Sequence, residues 1–268
     1  MNAHRMRMSR LFDRETGNGF VIAFDRGLGA SALPAGRDAL SIVDAATRSA
    51  ADGVLLSPGL AALTTDRFAH RGAPNLLVRS DLLVMAGVMP DGVVGPAEEY
   101  RMLIEPSEAA ALGADMMVLF LVSGYQSDKI TADNAQALTR TVQKAHAIGL
   151  PVMVETVLWG SRVQDQRRAD LLAFACRFSA ELGADVVKTQ YTGDVPSMRD
   201  VISATPVPVM ALGGPMTDSS EELAASTREV LTSGARGVVY GRNIWQAQDL
   251  VGAAAAVASV VHDFKVNG

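Results

Sequence analysis

Cysteine, lysine and histidine are all scarce in this chain of 268 residues. It has one cysteine, four histidines and, among 24 basic residues, only the lysines Lys129, Lys144, Lys188 and Lys265. A single cysteine excludes an internal disulfide framework and suits a reducing compartment, so a cytoplasmic location is expected. Cys176 lies in ADLLAFACRFSAEL, on the apolar face of an expected helix, and reads as a small buried hydrophobe rather than a nucleophile. The histidines, His4, His70, His146 and His262, fall at termini or on expected helices without ligand-like spacing. No metal site, and no metal-dependent mechanism, is therefore expected. A net charge of -5 argues against a nucleic-acid partner or an anionic membrane surface. No apolar run reaches the ~18 residues needed to span a membrane, and MNAHRMRMSRLF lacks the apolar core of a signal peptide.

What the chain does have is apolar residues, 49% of the total, gathered into short runs rich in Val, Ile and Leu. The runs are FVIAFD (20–25), GVLLS (53–57), NLLVRS (75–80), DMMVLFLV (115–122), PVMVETVL (151–158), DVVKTQY (185–191), PVMALGG (208–214) and GVVYGR (237–242). None alternates cleanly between apolar and polar, so each is expected to be buried on both faces, as parallel strands are. Between them lie amphipathic stretches such as DNAQALTRTVQKAHAIG and RRADLLAFACRFSAELG, each ending in a glycine that suits a helix C-cap. Strands alternating with helices predict an α/β fold, a single (β/α)8 TIM barrel over residues 1–268. An open doubly wound sheet would want a GxGxxG turn after its first strand, and FDRGLGAS fits that poorly. Residues 1–17 form an N-terminal extension, in which MRMSRLF reads as a frayed end rather than an oligomer contact. Residues 86–106 are the least regular part and are expected to form a loop covering the site.

In such a barrel the chemistry sits at the carboxyl ends of the strands. Lys188 interrupts an apolar strand there, and burial would lower its pKa and leave neutral amine for attack on a carbonyl. The alternative is a structural lysine paired with a core carboxylate; Asp185 is no obvious partner, being three residues back on the opposite face. Glu155 interrupts the preceding strand, so the two side chains are expected to face each other, either as a buried ion pair or as acid/base and electrophile. Asp25 ends the first strand. An amine with two carboxylates fits aldol chemistry, which needs one group to protonate a carbinolamine hydroxyl and one to accept a hydroxyl proton. Gly213-Gly214 ends the seventh strand and Gly241-Arg242 the eighth, where barrels often bind phosphate. Arg79 and Tyr191 are further candidates for substrate binding. Trp159 and Trp245 read as packing residues.

The stretches GADVVKTQYTGD, PVPVMALGGP and GARGVVYGRNIWQ, at their mutual spacing, resemble the class I aldolases of the archaeal-type fructose-bisphosphate group, a branch of the deoxyribose-phosphate aldolase-like barrels. The resemblance runs from about residue 18 to 265. It implies a Schiff base on Lys188, no other cofactor, and a substrate phosphate held by Gly213, Gly214, Gly241 and Arg242. It also implies that Asp25, in AFDRG, lines the site. The partner would be a small sugar phosphate, and the protein a homo-oligomer of up to ten chains. One departure stands out. The group carries a tyrosine in a YPRG-like stretch on strand five; aligning Gly160 with that glycine puts Val157 at the tyrosine position. PVMVETV is instead similar to the FFLE stretch of tagatose-bisphosphate aldolases and to glutamates of sulfofructose-phosphate aldolases, which points the acid/base role to Glu155. The expected function is cleavage or formation of a phosphorylated ketose with a dihydroxyacetone phosphate-type ketone half. Related transaldolase-like transfer, a coenzyme A-dependent thiolase and a non-catalytic sugar-phosphate sensor remain as alternatives.

Overall fold

The computed structural model of the chain describes residues 2–25, 38–85, 97–214, 216–217 and 219–265. Ten strands occur among them: β1 (Gly19–Phe24), β2 (Gly53–Leu56), β3 (Asn75–Arg79), β4 (Asp81–Val84), β5 (Glu99–Met102), β6 (Met116–Val122), β7 (Val152–Val157), β8 (Val186–Gln190), β9 (Val209–Leu212) and β10 (Gly237–Tyr240). Eight of them, all but β4 and β5, close into a barrel in the order β1-β2-β3-β6-β7-β8-β9-β10 and back to β1. Every pairing in it is parallel. The expected fold is the observed one. The reason is burial: the barrel strands are covered on both faces, so period-two alternation sorts side chains between two apolar layers rather than between core and water.

The inner layer holds Val21, Leu55, Leu77, Val118, Met153, Val186, Met210 and Val239. The outer layer packs the strands against a ring of helices. These are α2 (Ala39–Thr47), α3 (Pro58–Thr64), α4 (Pro106–Ala111), α5 (Asp128–Ala147), α6 (Ala169–Glu181), α7 (Val195–Ser203), α8 (Ser220–Thr232), the short α9 (Arg242–Trp245) and α10 (Leu250–Asp263), after an N-terminal α1 (Asn2–Leu11). The glycines expected to end α5 and α6, Gly149 and Gly183, have φ of 71° and 105°, a backbone region that favours glycine. Cys176 is fully buried on α6, and burial pushes its thiol up to about 12, as a packing role requires. No helix among the described residues is long and apolar enough to cross a membrane.

Two expectations are corrected. The N-terminal stretch does not fray: α1 closes the amino-terminal mouth of the barrel. Leu11 is 2% exposed and joins the inner layer. Arg7 donates to the Gly149 carbonyl at 2.6 Å, Arg10 pairs with Asp115 at 2.7 Å, and the Asn75 amide donates to the Arg10 carbonyl at 2.7 Å. The second correction concerns the expected covering loop, of which residues 86–96 lie outside the described residues. The part beyond it is regular. β5 pairs antiparallel with β4, and Leu83, Met85 and Tyr100 of this ribbon pack against Val122, Tyr125 and Val157 beside the carboxyl ends of β6 and β7.

If α1 is the plug of the barrel, Leu11→Ala leaves a cavity in the inner layer and should cost about 2–5 kcal/mol in urea unfolding. A loss below about 1 kcal/mol would show that the helix merely rests on the surface.

Candidate active site

Arg79 ends β3, and its side chain lies under the carboxyl-terminal end of the barrel, 1% exposed. Nε donates to Asp25 Oδ2 at 2.9 Å, Nη1 lies 3.5 Å from Asp81 Oδ1, and Nη2 donates to Glu155 Oε2. The guanidinium carbon sits 3.7 Å from the centre of the Phe120 ring. The same Oε2 of Glu155 is 2.8 Å from Lys188 Nζ. One carboxylate oxygen is therefore shared by two cations.

Strand register places these groups. Glu155 is the direct neighbour of Lys188 across the β7–β8 ladder, and Phe120 of Glu155 across β6–β7. Each inward position follows another two residues earlier, Met153 before Glu155 and Val186 before Lys188, so the polar groups sit one layer above the apolar filling. Asp25, Glu155 and Lys188 are 7%, 4% and 4% exposed.

Three carboxylates and two cations in so dry a place cannot all behave as in water. Burial pushes Asp81 up to about 6, against the pull of Arg79 and the Phe120 N–H, which its Oδ2 accepts at 2.5 Å. Burial also works against ionised Asp25, but Arg79 and Lys188 outweigh it and hold this carboxyl below the usual range. Arg79 loses to burial and gains more from Glu155, Asp25 and Asp81, so it stays cationic.

Above the ion cluster opens a cavity of about 660 Å³. Asp25, Glu155 and Lys188 line it, as do Gly213 and Gly214 after β9 and Gly241 and Arg242 after β10. Seven of the residues singled out in the sequence are thus brought to one space. The other two are not. Arg79 does not line the cavity; closure of the barrel brings it against three carboxylates, and these take the hydrogen bonds a phosphate would have used. Tyr191 points away, its hydroxyl 3.3 Å from Glu229 on α8, and burial together with Glu229 pushes its phenol up to about 12.

Gln166 and Arg167, unmarked in the sequence, also line the cavity, as does Trp159, expected there as a packing residue. Trp159 does also pack, 5.9 Å from Phe120 between ring centres, while Trp245 is fully buried as expected. These residues ride on the loop after β7, which bends back onto the loop after β6. A Cβ on Gly160 would stand 1.9 Å from the Gly124 carbonyl carbon, so this crossing tolerates only glycine. Arg167 reaches the glycine pair after β9, with Nη2 at 4.0 Å from where a Cβ of Gly214 would be. Its position within SRVQDQRRAD is unmarked by any strand end, though loops on this face are where barrels place such groups.

The signature of the DeoC/LacD family aldolase matches residues 19–247. An uncharacterized aldolase of Saccharolobus solfataricus is 32% identical over 98% of this chain and 96% of its own. The class 1 fructose-bisphosphate aldolase of Thermoproteus tenax is 28% identical over 96% and 94%. A solved archaeal fructose-1,6-bisphosphate aldolase, with its catalytic lysine covalently bound to the carbinolamine intermediate of its substrate, superposes with a TM-score of 0.81. Its identity is 26%, over 97% of this chain and 99% of that one.

Asp81 gives the cluster a pH signature. Its acidity is weaker in the folded chain, about 6 against an ordinary 3.8. The stability it allows is complete below about pH 4 and is lost as the pH rises through 6, because the unfolded chain releases this proton first. Asp81→Asn removes that term. The stability of wild type relative to the variant should fall by of order 3 kcal/mol between about pH 4 and 7. Parallel profiles over that window would mean that Asp81 is not held protonated.

Proposed function

The chain belongs to the DeoC/LacD family of aldolases, and from that premise we propose that it cleaves and forms a phosphorylated ketose through a Schiff base on Lys188. One observation carries the reading: Lys188 Nζ lies 2.8 Å from Glu155 Oε2, on the floor of a cavity rimmed by two glycine-bearing loops and Arg242. The archaeal aldolase with a carbinolamine on its catalytic lysine supports the same chemistry.

The steps follow from the positions. Glu155 takes a proton from the Lys188 ammonium, and the free amine attacks the ketone carbon of the substrate to give a carbinolamine. Glu155, now protonated, delivers that proton to the carbinolamine hydroxyl, which leaves as water and generates the iminium. The positive nitrogen then draws the electrons of the bond between the α- and β-carbons as Asp25, kept ionised by Arg79 and Lys188, accepts the proton of the β-hydroxyl. An aldehyde departs and an enamine remains. Protonation at carbon and addition of water release the ketone half and return the amine. The iminium supplies the electron sink, so the reaction as written uses no metal or other cofactor.

Backbone N–H groups of Gly213, Gly214 and Gly241, with the guanidinium of Arg242, suit a phosphate on the ketone half. Asn243 braces them, its Oδ1 accepting from Thr217 N at 3.0 Å and so tying the two loops together. The family and its relatives favour aldol cleavage over the transferase, thiolase and sensor readings. We place the protein in the cytoplasm as a single barrel domain, working on free sugar phosphates rather than nucleic acid or membrane. Phe174, exposed on α6 and stacked on Phe178, supports assembly of like chains.

Retro-aldol assays over a panel of ketose mono- and bisphosphates test the roles. Lys188→Arg should show no turnover above background. Glu155→Gln should lower kcat by about 10²–10⁴-fold, the usual range for a lost general acid/base. Arg242→Ala should raise KM more than it lowers kcat. Wild-type cleavage by the Lys188→Arg chain would overturn the assignment.

A further inference from the structure

At the end of the barrel remote from Lys188, three side chains with no part in the aldol site converge. His4 belongs to α1, His146 to the last turn of α5, and Asp185 precedes β8. His4 Nε2 is 2.9 Å from Asp185 Oδ1, and His146 Nε2 is 2.8 Å from Oδ2. One ligand atom from each lies within 4.8 Å of the others, and the imidazoles meet edge to face at 5.1 Å between centres. Two of the chain's four histidines are spent here.

We infer that His4, His146 and Asp185 bind one divalent transition-metal ion of the zinc class, clipping α1 to the barrel. The donor set is two neutral nitrogens and one carboxylate oxygen, which suits zinc, cobalt or nickel and not magnesium or calcium, whose ligands are oxygens. Metal–nitrogen bonds of about 2.0–2.1 Å put tetrahedral ligand atoms ~3.3 Å apart. The trio needs only side-chain adjustment to reach that spacing. Water would fill the remaining position, and the ion has a way in, since the side chains of His4, His146 and Asp185 are 26%, 38% and 13% exposed.

The surroundings hold the ligands in place. Asp185 Oδ2 accepts from Val152 N at 2.8 Å, which fixes the carboxylate. Arg7 of α1 donates to the Gly149 carbonyl at 2.6 Å, and a Cβ on Gly149 would lie 2.9 Å from Ala3 Cβ, so α1 is seated closely on the end of α5. Binding replaces two imidazole–carboxylate hydrogen bonds by metal–ligand bonds. In the bound form each ring gives its Nε2 lone pair to the ion and carries its proton on Nδ1. Asp185 lies three residues before Lys188, ~10 Å back along the chain leading into β8, so the clip is structural and outside the reach of the reacting carbonyl.

The protein, stripped with chelator, would be titrated with Zn²⁺ by calorimetry and with Co²⁺ by visible absorption. The expected result is one ion per chain with a rise in Tm, while retro-aldol activity is the same with and without chelator. His4→Ala and His146→Ala should each weaken binding about tenfold or more, and His70→Ala, at a distant exposed site, should not. The readout is binding, so it stands or falls separately from the aldolase assignment. Absence of saturable binding, or equal affinity in wild type and both variants, would overturn the proposal.

Discussion

One carboxylate oxygen, Oε2 of Glu155, lies between the guanidinium of Arg79 and the amine of Lys188, and the active end of the barrel is organised around it. Isolated charges at this depth would be prohibitively costly, and they persist because each is paired. Arg79 does most of the pairing. It neutralises Asp25 and Glu155, takes part of Asp81, and rests on the Phe120 ring, tying the ends of β1, β3, β6 and β7 to one planar group. A lysine in its place would offer one point charge instead of a fork able to address three carboxylates. The catalytic amine on β8 is coupled to this lattice through the shared oxygen, which is also the route by which its proton can leave.

The two layers of the barrel explain why so rigid a floor is available. Below the ion cluster the interior is filled by Met153, Val186, Met210 and their neighbours, and Leu11 of α1 closes the far mouth. With apolar side chains beneath them, Glu155 and Lys188 face each other, Arg79, Asp25 and the cavity above. Loops deliver the rest. The crossing of Gly160 over Gly124 sets the path of the segment carrying Trp159, Gln166 and Arg167, and the Asn243–Thr217 hydrogen bond joins the two glycine loops.

The barrel was legible in the sequence because strands buried on both faces leave continuous apolar runs, and a polar residue inside such a run stands out. That is how Lys188, Glu155 and Asp25 could be singled out before any geometry was known. Arg79 stood out equally but was given the wrong partner. Asp81 is near it in sequence, but Asp25 and Glu155 come from the ends of β1 and β7, and only closure of the barrel brings them to it. Arg167 was missed because it lies within a polar loop, where nothing local separates it from solvated neighbours. α1 was misjudged for a related reason: Leu11 is its one buried residue, so no periodic apolar face betrays the docking. The His4–His146–Asp185 cluster was invisible for want of sequence proximity, its members lying on three elements.

All of this chemistry requires that the amine of Lys188, beside Glu155, be the group that bonds to substrate. Borohydride reduction in the presence of saturating ketose phosphate, followed by peptide mapping, tests it most directly. A stable secondary amine should form on Lys188 and on no other lysine, with an added mass equal to the reduced ketone fragment or the reduced whole sugar. A chain that turns over the substrate yet leaves Lys188 unmodified would contradict it.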